Sequence, residues 1–348
     1  MQRPSRIIVL YNIDYDPQAG AADVVSVAAS AQAVAQALRD RGRHAELIGL
    51  GGREVLAVLE QVRAAKPDLV FNLCESLAGD ARHEPTLVGL LDLFGIPYTG
   101  SDLLGLASCL YKQRTKDILD ARGVPTPPHR YLADLAALDD PALDRLDYPW
   151  FVKLAHEDAS IGITEANRVT SAAALRDRAH ALMVEYHQPV LAERYVDGRE
   201  LNVTLIGNAG DLQVLPLHEI DFAAMPADRP RIVSYAAKWD EHHVDFVGTK
   251  PVLLRDASPE LVASVERVAR DAWRALGLRD YGRIDLRVDA AGDPWVIDIN
   301  PNPDISPDAG VARAAVIAGM AYPELIAHLA DVALHRIRLA SLPSVARQ

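Results

Sequence analysis

Alternation of apolar and polar residues near the C-terminus predicts a β-hairpin. Its strands would be Arg283–Val288 and Trp295–Asn300, joined by the turn-forming pair Ala291-Gly292. Every second side chain of a strand points to the same side, so each strand has one apolar and one polar face. The predicted apolar face consists of Ile284, Leu286 and Val288 from the first strand and Trp295, Ile297 and Ile299 from the second.

The polar face of this hairpin brings two carboxylates together. A tight turn places Asp285 opposite Asp298 and Arg283 opposite Asn300, and directly opposed side chains have Cβ atoms about 4.5–5.5 Å apart. Like charges at that separation repel, so a cation between them would explain the pattern. A few hard oxygen ligands suit Mg²⁺ carrying substrate phosphates better than zinc or a calcium loop. An ordinary hairpin with a solvated acidic face is the alternative.

Strand and helix patterns alternate through the first hundred residues. This order predicts a parallel sheet with flanking helices. No GxGxxG follows the first strand, so a dinucleotide-binding fingerprint is missing. The predicted strands are Arg6–Tyr11, His44–Gly49 and Leu69–Leu73, and the predicted helices are Ala22–Asp40, Arg53–Ala65 and Glu84–Phe94.

The remaining chain divides into two further predicted domains. We place the boundaries at 1–104, 105–195 and 196–348, because composition changes around the proline-rich stretch that follows Gly123. Residues 221–245 are polar and contain prolines, which is typical of a mobile loop. The predicted elements are helices Ser108–Arg122, Ser171–Tyr186, Pro259–Leu276 and Tyr322–Leu339, and strands Arg130–Leu132, Trp150–Leu154, Val190–Arg194, Glu200–Gly207 and Leu212–His218.

Composition narrows the class of protein. The 348 residues exceed a usual single domain, and 24% charged with 49% hydrophobic residues are typical of a soluble globular protein. A net charge of −12 argues against nucleic-acid and membrane-surface partners, although a locally basic cleft can still bind a nucleotide. Cys74 and Cys109 have no metal-ligand spacing. The N-terminus lacks a signal peptide, and no stretch reaches the ~20 apolar residues of a membrane span, so we expect a cytoplasmic protein.

The order of charged residues along the chain resembles that of ATP-grasp ligases, and most of all the D-alanine–D-alanine ligases. The resemblance covers nearly the whole chain and is carried by FGIPYTGSDLLGLASCLYKQRTK, VKLAHEDASIGI, AERYVDGREL, YAAKWD, GRIDL and DINPNP. It implies a three-domain ATP-grasp architecture of the α/β class, with an N-terminal parallel αβα domain and an α+β C-terminal part. It also implies an ADP-forming carboxylate–amine ligase that is a homodimer joined through its N-terminal domain.

The resemblance assigns a role to each residue of the series. Lys112 and Lys153 would hold the ATP phosphates, and the segment His156–Gly162, with Ser160 and Gly162, would cover them. Lys238, on the mobile loop, would reach the γ-phosphate, and Arg283 would stabilise an oxyanion. Glu193, Tyr195 and Val196 would bind adenine, Glu200 would accept from the ribose hydroxyls, and Asp285, Asp298 and Asn300 would bind two Mg²⁺ ions, which Mn²⁺ can replace.

The amino-acid half of the resembled site differs in this sequence. The Glu, Ser and Tyr of the family's first-substrate site are replaced by Val24, Ala159 and Trp239, and Asp23 lies one residue out of register. The family's Ser-Pro-Gly-Met becomes Asn302-Pro-Asp-Ile305, and its His-Gly motif becomes 72-NLCE-75. We therefore expect a C–N-bond-forming ligase for amino-acid-like substrates other than two D-alanines. The alternatives are a true D-alanine–D-alanine ligase and a nucleotide-binding protein without ligase turnover.

Overall fold

The computed structural model describes residues 5–14, 21–157 and 160–341. Three β-sheets follow one another along the described chain, and helices pack against them. The first sheet is parallel and the other two are antiparallel. This arrangement confirms the predicted α/β class with an α+β C-terminal part.

The N-terminal sheet is buried on both faces. Its central strand is a continuous apolar run because Ile7 and Val9 enter one core cluster and Ile8 and Leu10 enter another. The strand order is β2-β1-β3. The elements are β1 (Arg6–Asn12), α1 (Ala21–Asp40), β2 (His44–Leu50), α2 (Val55–Ala65), β3 (Leu69–Asn72) and α3 (Glu84–Leu93).

The predicted helix Ser108–Arg122 is wrong as a single element. The structure has two helices, α4 (Leu103–Leu110) and α5 (Lys112–Ala121), because Tyr111 leaves the helical region at φ −83° and ψ 87°. The Lys112 amide then donates to the Ala155 carbonyl at 3.0 Å. The break therefore begins a new helix beside the central sheet, with Lys112 in its first turn.

The central sheet is antiparallel, in the order β4-β7-β5-β6. A core cluster with Trp150, Val152 and Ala192 lies between this sheet and its helix. The elements are β4 (His129–Leu132), β5 (Trp150–Leu154), β6 (Arg168–Val169), α6 (Ala172–Tyr186) and β7 (Val190–Arg194).

The C-terminal sheet has the order β11-β10-β8-β12-β13, with β9 paired to β8. The predicted strand Leu212–His218 is wrong as one element, because it divides into two short strands on either side of Pro216. Residues 221–245, predicted as irregular, contain one short helix, Tyr235–Trp239, and the first two residues of another, Val244–Gly248. The elements are β8 (Arg199–Gly207), β9 (Gln213–Val214), β10 (His218–Asp221), α7 (Tyr235–Trp239), α8 (Val244–Gly248), β11 (Lys250–Leu253), α9 (Pro259–Leu276), β12 (Asp280–Val288), β13 (Pro294–Asn300), α10 (Gly310–Ile317) and α11 (Tyr322–Ser341).

The hairpin β12–β13 has the predicted register at its open end and a different one near its turn. Asp285 pairs with Asp298, but Leu286 pairs with Val296, so Ile297 is an extra residue in a β-bulge. The bulge turns Val296 into the core beside Ile299. The predicted apolar face of Trp295, Ile297 and Ile299 is therefore wrong for its first two members.

The last described helix, α11, packs against the first sheet. Leu325 and Leu329 of α11 belong to the same core cluster as Ile7, Val9 and Phe71 of the N-terminal strands. The first strand and the last helix that the structure describes therefore share one hydrophobic core.

Within the described ranges no single helix is long and apolar enough to span a membrane. Of the described helices, only α10 together with residues 322–340 of α11 has the length and composition of a span, and the two helices are bent by 102° relative to each other.

Candidate active site

The hairpin residues predicted to form the site lie on one face of the C-terminal sheet. On β8, Leu201, Val203 and Leu205 point into the core, so the residues between them point to the opposite side. Paired residues of neighbouring strands share a face, which extends this surface across four strands. Its rows are Thr204–Arg283–Asn300, His218–Asn202–Asp285–Asp298 and Ile220–Glu200–Arg287–Trp295. We call this surface the polar face.

Asp285 lies at the centre of the polar face. Arg283 donates to both of its oxygens at 2.8 and 2.9 Å, and Asn202 Nδ2 donates to Oδ1 at 2.7 Å. Burial disfavours the charge of Arg283, but Asp285 outweighs burial and raises the pKa of the guanidinium. Arg283 is thereby held as a fixed cation at the edge of the acidic pair.

Asp298 faces Asp285 and a group of lysines. Its Oδ1 lies 3.8 Å from Lys112 Nζ and accepts the Ile299 amide at 3.2 Å. Burial raises the pKa of the Asp298 carboxyl, but Lys112 and the neighbouring lysines outweigh it and lower this pKa below its usual value. Asp298 is therefore ionised at neutral pH.

The donor set around this pair fits Mg²⁺. Asp285 and Asp298 are opposed carboxylates, and Asn300 adds an amide oxygen that accepts the Asn302 amide at 3.1 Å. A carboxylate has about four lone-pair positions, so Asp285 can bind a cation while it remains bonded to Arg283 and Asn202. Hard oxygen donors in this number leave coordination positions for phosphate oxygens and water.

A buried ion cluster connects the central sheet to the hairpin. Glu193 Oε1 and Oε2 each lie 2.8 Å from a lysine, Lys153 and Lys116 respectively. Burial raises the pKa of the Glu193 carboxyl, but the two lysines outweigh it and lower that pKa. Burial also lowers the pKa of Lys116 to about 8.

The bulge completes this cluster through its backbone. Lys153 Nζ donates to the Ile297 carbonyl at 2.8 Å, and Lys116 Nζ donates to the Val296 carbonyl at 3.0 Å. Lys116 was missed by the sequence analysis. Its signal is the i, i+4 spacing from Lys112, which places both lysines on the same side of α5.

Glu200 is also paired, with a residue that the sequence analysis missed. Arg287 Nε and Nη2 donate to Glu200 Oε2 at 3.1 and 2.9 Å, and Nη1 donates to the Val196 carbonyl at 2.8 Å. The Arg287 guanidinium lies 4.9 Å from the ring centroid of Tyr195. Arg287 therefore joins three of the residues predicted to bind the nucleoside. The sequence signal that identifies Arg287 is the alternation along β12, which places Arg287 on the same face as Arg283 and Asp285.

Residues 221–245, which we call the covering segment, lie against the predicted phosphate loop. Ser160 Oγ donates to the Val233 carbonyl at 3.1 Å, and the Tyr235 amide donates to the Ile163 carbonyl at 2.9 Å. Gly162 has φ +70°, and a Cβ there would lie 3.1 Å from Leu154 Cδ1, so the loop needs glycine at this position. The covering segment also reaches the residues predicted to bind the nucleoside, because Tyr195 Oη donates to the Arg231 carbonyl at 3.0 Å.

Two of the three replaced first-substrate positions cannot be placed. Ala159 and the side chain of Val24, like that of Asp23, lie outside the described residues. The third, Trp239, ends α7 and is 46% exposed.

A cavity of about 190 Å³ opens at the end of the polar face beside Arg283. Lys238 of the covering segment and Arg313 of α10 also line it, together with His218 and Thr204 of the sheet. Among the described residues that line it, none is acidic. The structure thus brings Lys238 and Arg283 to one cavity. The metal-ligand candidates lie along the same face, with Lys112 beside Asp298 and Lys153 bonded to the Ile297 carbonyl.

Comparisons with known proteins agree with this architecture. The family model for the C-terminus of D-ala D-ala ligases matches residues 118–331. The chain is 32% identical over 305 residues to a D-alanine–D-alanine ligase of Bordetella avium, covering 87% of this chain and 88% of that protein. It is also 32% identical over 313 residues to the uncharacterized protein y4sG of Sinorhizobium fredii, covering 88% of both.

A solved structure shares the fold. The crystal structure of a D-alanine–D-alanine ligase from Bacillus anthracis superposes with a TM-score of 0.75 at 22% identity, covering 97% of this chain and 100% of the other. The same enzyme complexed with ATP also gives a TM-score of 0.75, at 23% identity. The chain therefore belongs to the D-alanine–D-alanine ligase family, a family of ATP-dependent, ADP-forming carboxylate–amine ligases with the ATP-grasp fold.

Proposed function

We propose that this protein joins the carboxylate of one amino acid to the amine of another through an acyl phosphate formed from ATP. The observation that carries the proposal is the convergence on one sheet face of Asp285, Asp298 and Asn300, with Lys112 and Arg283 beside them. Opposed carboxylates flanked by cations are suited to a metal-bound polyphosphate.

The nucleotide would lie along the polar face. Lys112 and Lys153 would hold its phosphates as point charges, while Asp285, Asp298 and Asn300 would hold Mg²⁺. When bound, Mg²⁺ supplies neutralisation of the charge on the transferring phosphoryl group. A carboxylate oxygen of the first substrate attacks the γ-phosphorus, and the bond to ADP breaks.

The nucleoside would meet the residues around Arg287. Both Arg287 bonds to Glu200 reach Oε2, which leaves Oε1 as the oxygen to accept from the ribose hydroxyls. Tyr195 and Val196 would contact adenine through their backbone. Each oxygen of Glu193 already lies 2.8 Å from a lysine, Lys116 or Lys153. We therefore propose that Glu193 acts in nucleotide binding chiefly by positioning these two lysines.

Amide formation would take place beside Arg283. The amine of the second substrate attacks the acyl carbon, and inorganic phosphate leaves. Arg283 would stabilise the tetrahedral oxyanion, because a charge held by Asp285 needs little reorganisation when the oxyanion forms. Lys238 would reach the transferring phosphoryl group from the covering segment, which would also exclude water from the acyl phosphate.

D-Alanine is the first substrate to test at both positions. The family and the names of its relatives favour the alternative of a D-alanine–D-alanine ligase over our expectation of other substrates. The structure also weakens one ground for that expectation, which is the Asp304 that stands where the family's Ser-Pro-Gly-Met has glycine. Asp304 is exposed, and its Oδ1 accepts from the amide and hydroxyl of Ser306 at 2.8 and 2.6 Å. The implied homodimer, without nucleic-acid or membrane partners, remains part of the proposal.

The test is ADP and phosphate release by the purified protein with ATP, Mg²⁺ and D-alanine, with the product identified by mass spectrometry. We expect D-alanyl-D-alanine at millimolar D-alanine. Pairs of other D- and L-amino acids form the second arm. Release of ADP with another pair alone would support our first expectation, and the absence of amino-acid-dependent ADP release throughout would overturn the proposed function.

A further inference from the structure

The cavity beside Arg283 has a cationic lining. Arg283, Arg313 and Lys238 line it, and none of its described lining residues is a carboxylate. Thr204 and His218, which are 3% and 5% exposed, add a hydroxyl and an imidazole to its wall. His218 Nδ1 lies 3.1 Å from the Pro216 carbonyl and must donate to it, so Nε2 is the acceptor in the neutral ring.

Two of these cations already have a role. Arg283 is held in a bidentate pair with Asp285, and in the proposed reaction it faces the oxyanion. Lys238 belongs to the covering segment and is proposed to serve the transferring phosphoryl group. Arg313 remains, and the proposed chemistry at the phosphoryl and acyl groups does not use it.

The surroundings of Arg313 leave its charge incompletely balanced. Its Nη1 donates to the backbone carbonyl of Asp308, one turn earlier in the chain, which fixes the guanidinium near the cavity. Burial lowers the pKa of this guanidinium, and the nearby carboxylates of Asp308 and Asp304 do not offset the effect. Repulsion from the charge of Arg283 also lowers the pKa of Arg313. A negatively charged ligand in the cavity would relieve both.

We propose that Arg313 binds the carboxylate of the acceptor amino acid and so selects acceptors that carry one. This inference rests on the proposed function and adds a specificity-determining residue to it. An α-amino acid carries its amine and carboxylate on one carbon atom, so an amine placed beside Arg283 brings the carboxylate into the same cavity. The planar guanidinium fork matches the two oxygens of a carboxylate, which a lysine cannot do as well.

The test compares an acceptor with and without its carboxylate. D-Alanine and D-alaninamide are used as acceptors by the wild-type protein, Arg313→Met, Arg313→Lys and the control Arg274→Met, which changes an exposed arginine of α9. We expect the wild type to prefer the acid in kcat/KM by about 10- to 100-fold, since charged hydrogen bonds are strong. Arg313→Met should lose most of that preference through a higher KM for the acid, with the KM for ATP changed less than twofold. Arg313→Lys should be intermediate, and Arg274→Met should behave as wild type.

A binding arm separates this inference from the proposed function. Calorimetric titration of D-alanine and D-alaninamide into wild type and Arg313→Met, with Mg²⁺ and a non-hydrolysable ATP analogue, requires no turnover. A preference for the acid that disappears in Arg313→Met supports the inference even when no ligation occurs, in which case the proposed function alone fails. Equal weakening of acid and amide would assign Arg313 a structural role and overturn the inference. Unchanged binding of both, or no binding of either, would also overturn it.

Discussion

The charged side chains at the two ends of the polar face differ in how far they are paired with opposite charges. At the end that we propose binds the nucleotide, Glu200 is bonded by Arg287, and Glu193 of the adjoining ion cluster is shared by Lys116 and Lys153. At the other end, Arg313 faces a cavity that no described carboxylate lines. Buried charges that neutralise one another hold the sheets in place, whereas a cation beside an open cavity is left for a ligand.

This difference predicts where a substitution has its effect. Removing a charge from a mutually paired group leaves its partner buried and uncompensated, which destabilises the fold. Removing one that faces a cavity changes substrate binding and leaves packing largely intact. The centre of the face, at Asp285 and Asp298, combines both situations because one carboxylate is internally paired and the other is partly exposed.

Asp298→Asn should have the largest effect on activity. It keeps the shape of the side chain but removes the charge that we assign to the metal, so kcat should fall by roughly 10³-fold or more. Steady-state ADP release measures this loss, and circular dichroism should show an unchanged fold. Asp293→Asn, an exposed change on the same hairpin, is the matched control. Near-normal turnover by Asp298→Asn would exclude the proposed metal site.

Glu193→Gln should have the largest effect on stability. The change leaves two lysines buried beside each other, and breaking a buried ion pair from one side costs about 3–5 kcal/mol. Urea unfolding would measure the loss as a lower midpoint. Adding Lys116→Met should recover part of it by removing one of the two charges.

The control for this variant is Glu60→Gln, in an exposed pair with Arg63. Exposed pairs contribute about 0–1 kcal/mol, so its midpoint should barely move. Equal shifts for Glu193→Gln and Glu60→Gln would show that the buried cluster does not stabilise the fold.

Lys238→Ala should lower kcat by about 10²-fold and weaken ATP binding much less, because we expect its contact with the phosphoryl group to form chiefly when the covering segment closes. Limited proteolysis adds a direct readout: cleavage within residues 221–245 should slow when ATP and the amino-acid substrate are both added. Lys250→Ala, an exposed change on β11, is the control. Ligand-independent cleavage together with normal turnover would remove the assigned role of the segment as a lid.

Local patterns were sufficient to predict most of the architecture. The alternating order of strand and helix patterns predicted the parallel sheet, and the alternation of apolar and polar residues predicted that Asp285 and Asp298 oppose each other. The bulge at Ile297 could not be predicted, since one extra residue does not disturb the alternation of Asp298 and Asn300. Its position depends on lysines that are more than 140 residues away in sequence and bind its carbonyls.

The sequence also did not predict which charged residues pair with each other. Glu193 and Glu200 could be assigned to ligands by resemblance, but their partners Lys116 and Arg287 come from other elements of the fold. Helical and strand periodicity give the face on which such residues lie, and they do not give which opposite charge reaches them. Arg313 has no signal of this kind, because only the folded chain brings α10 to the cavity beside Arg283.

The packing of α11 on the first sheet has a consequence for synthesis of the protein on the ribosome. Domains usually fold in the order in which they emerge. Here the N-terminal sheet is translated long before α11, and part of one of its apolar faces stays uncovered until Leu325 and Leu329 have left the exit tunnel. The N-terminal sheet is therefore among the last parts to be completed, and a nascent protein stopped short of α11 would present Ile7, Val9 and Phe71 to chaperones.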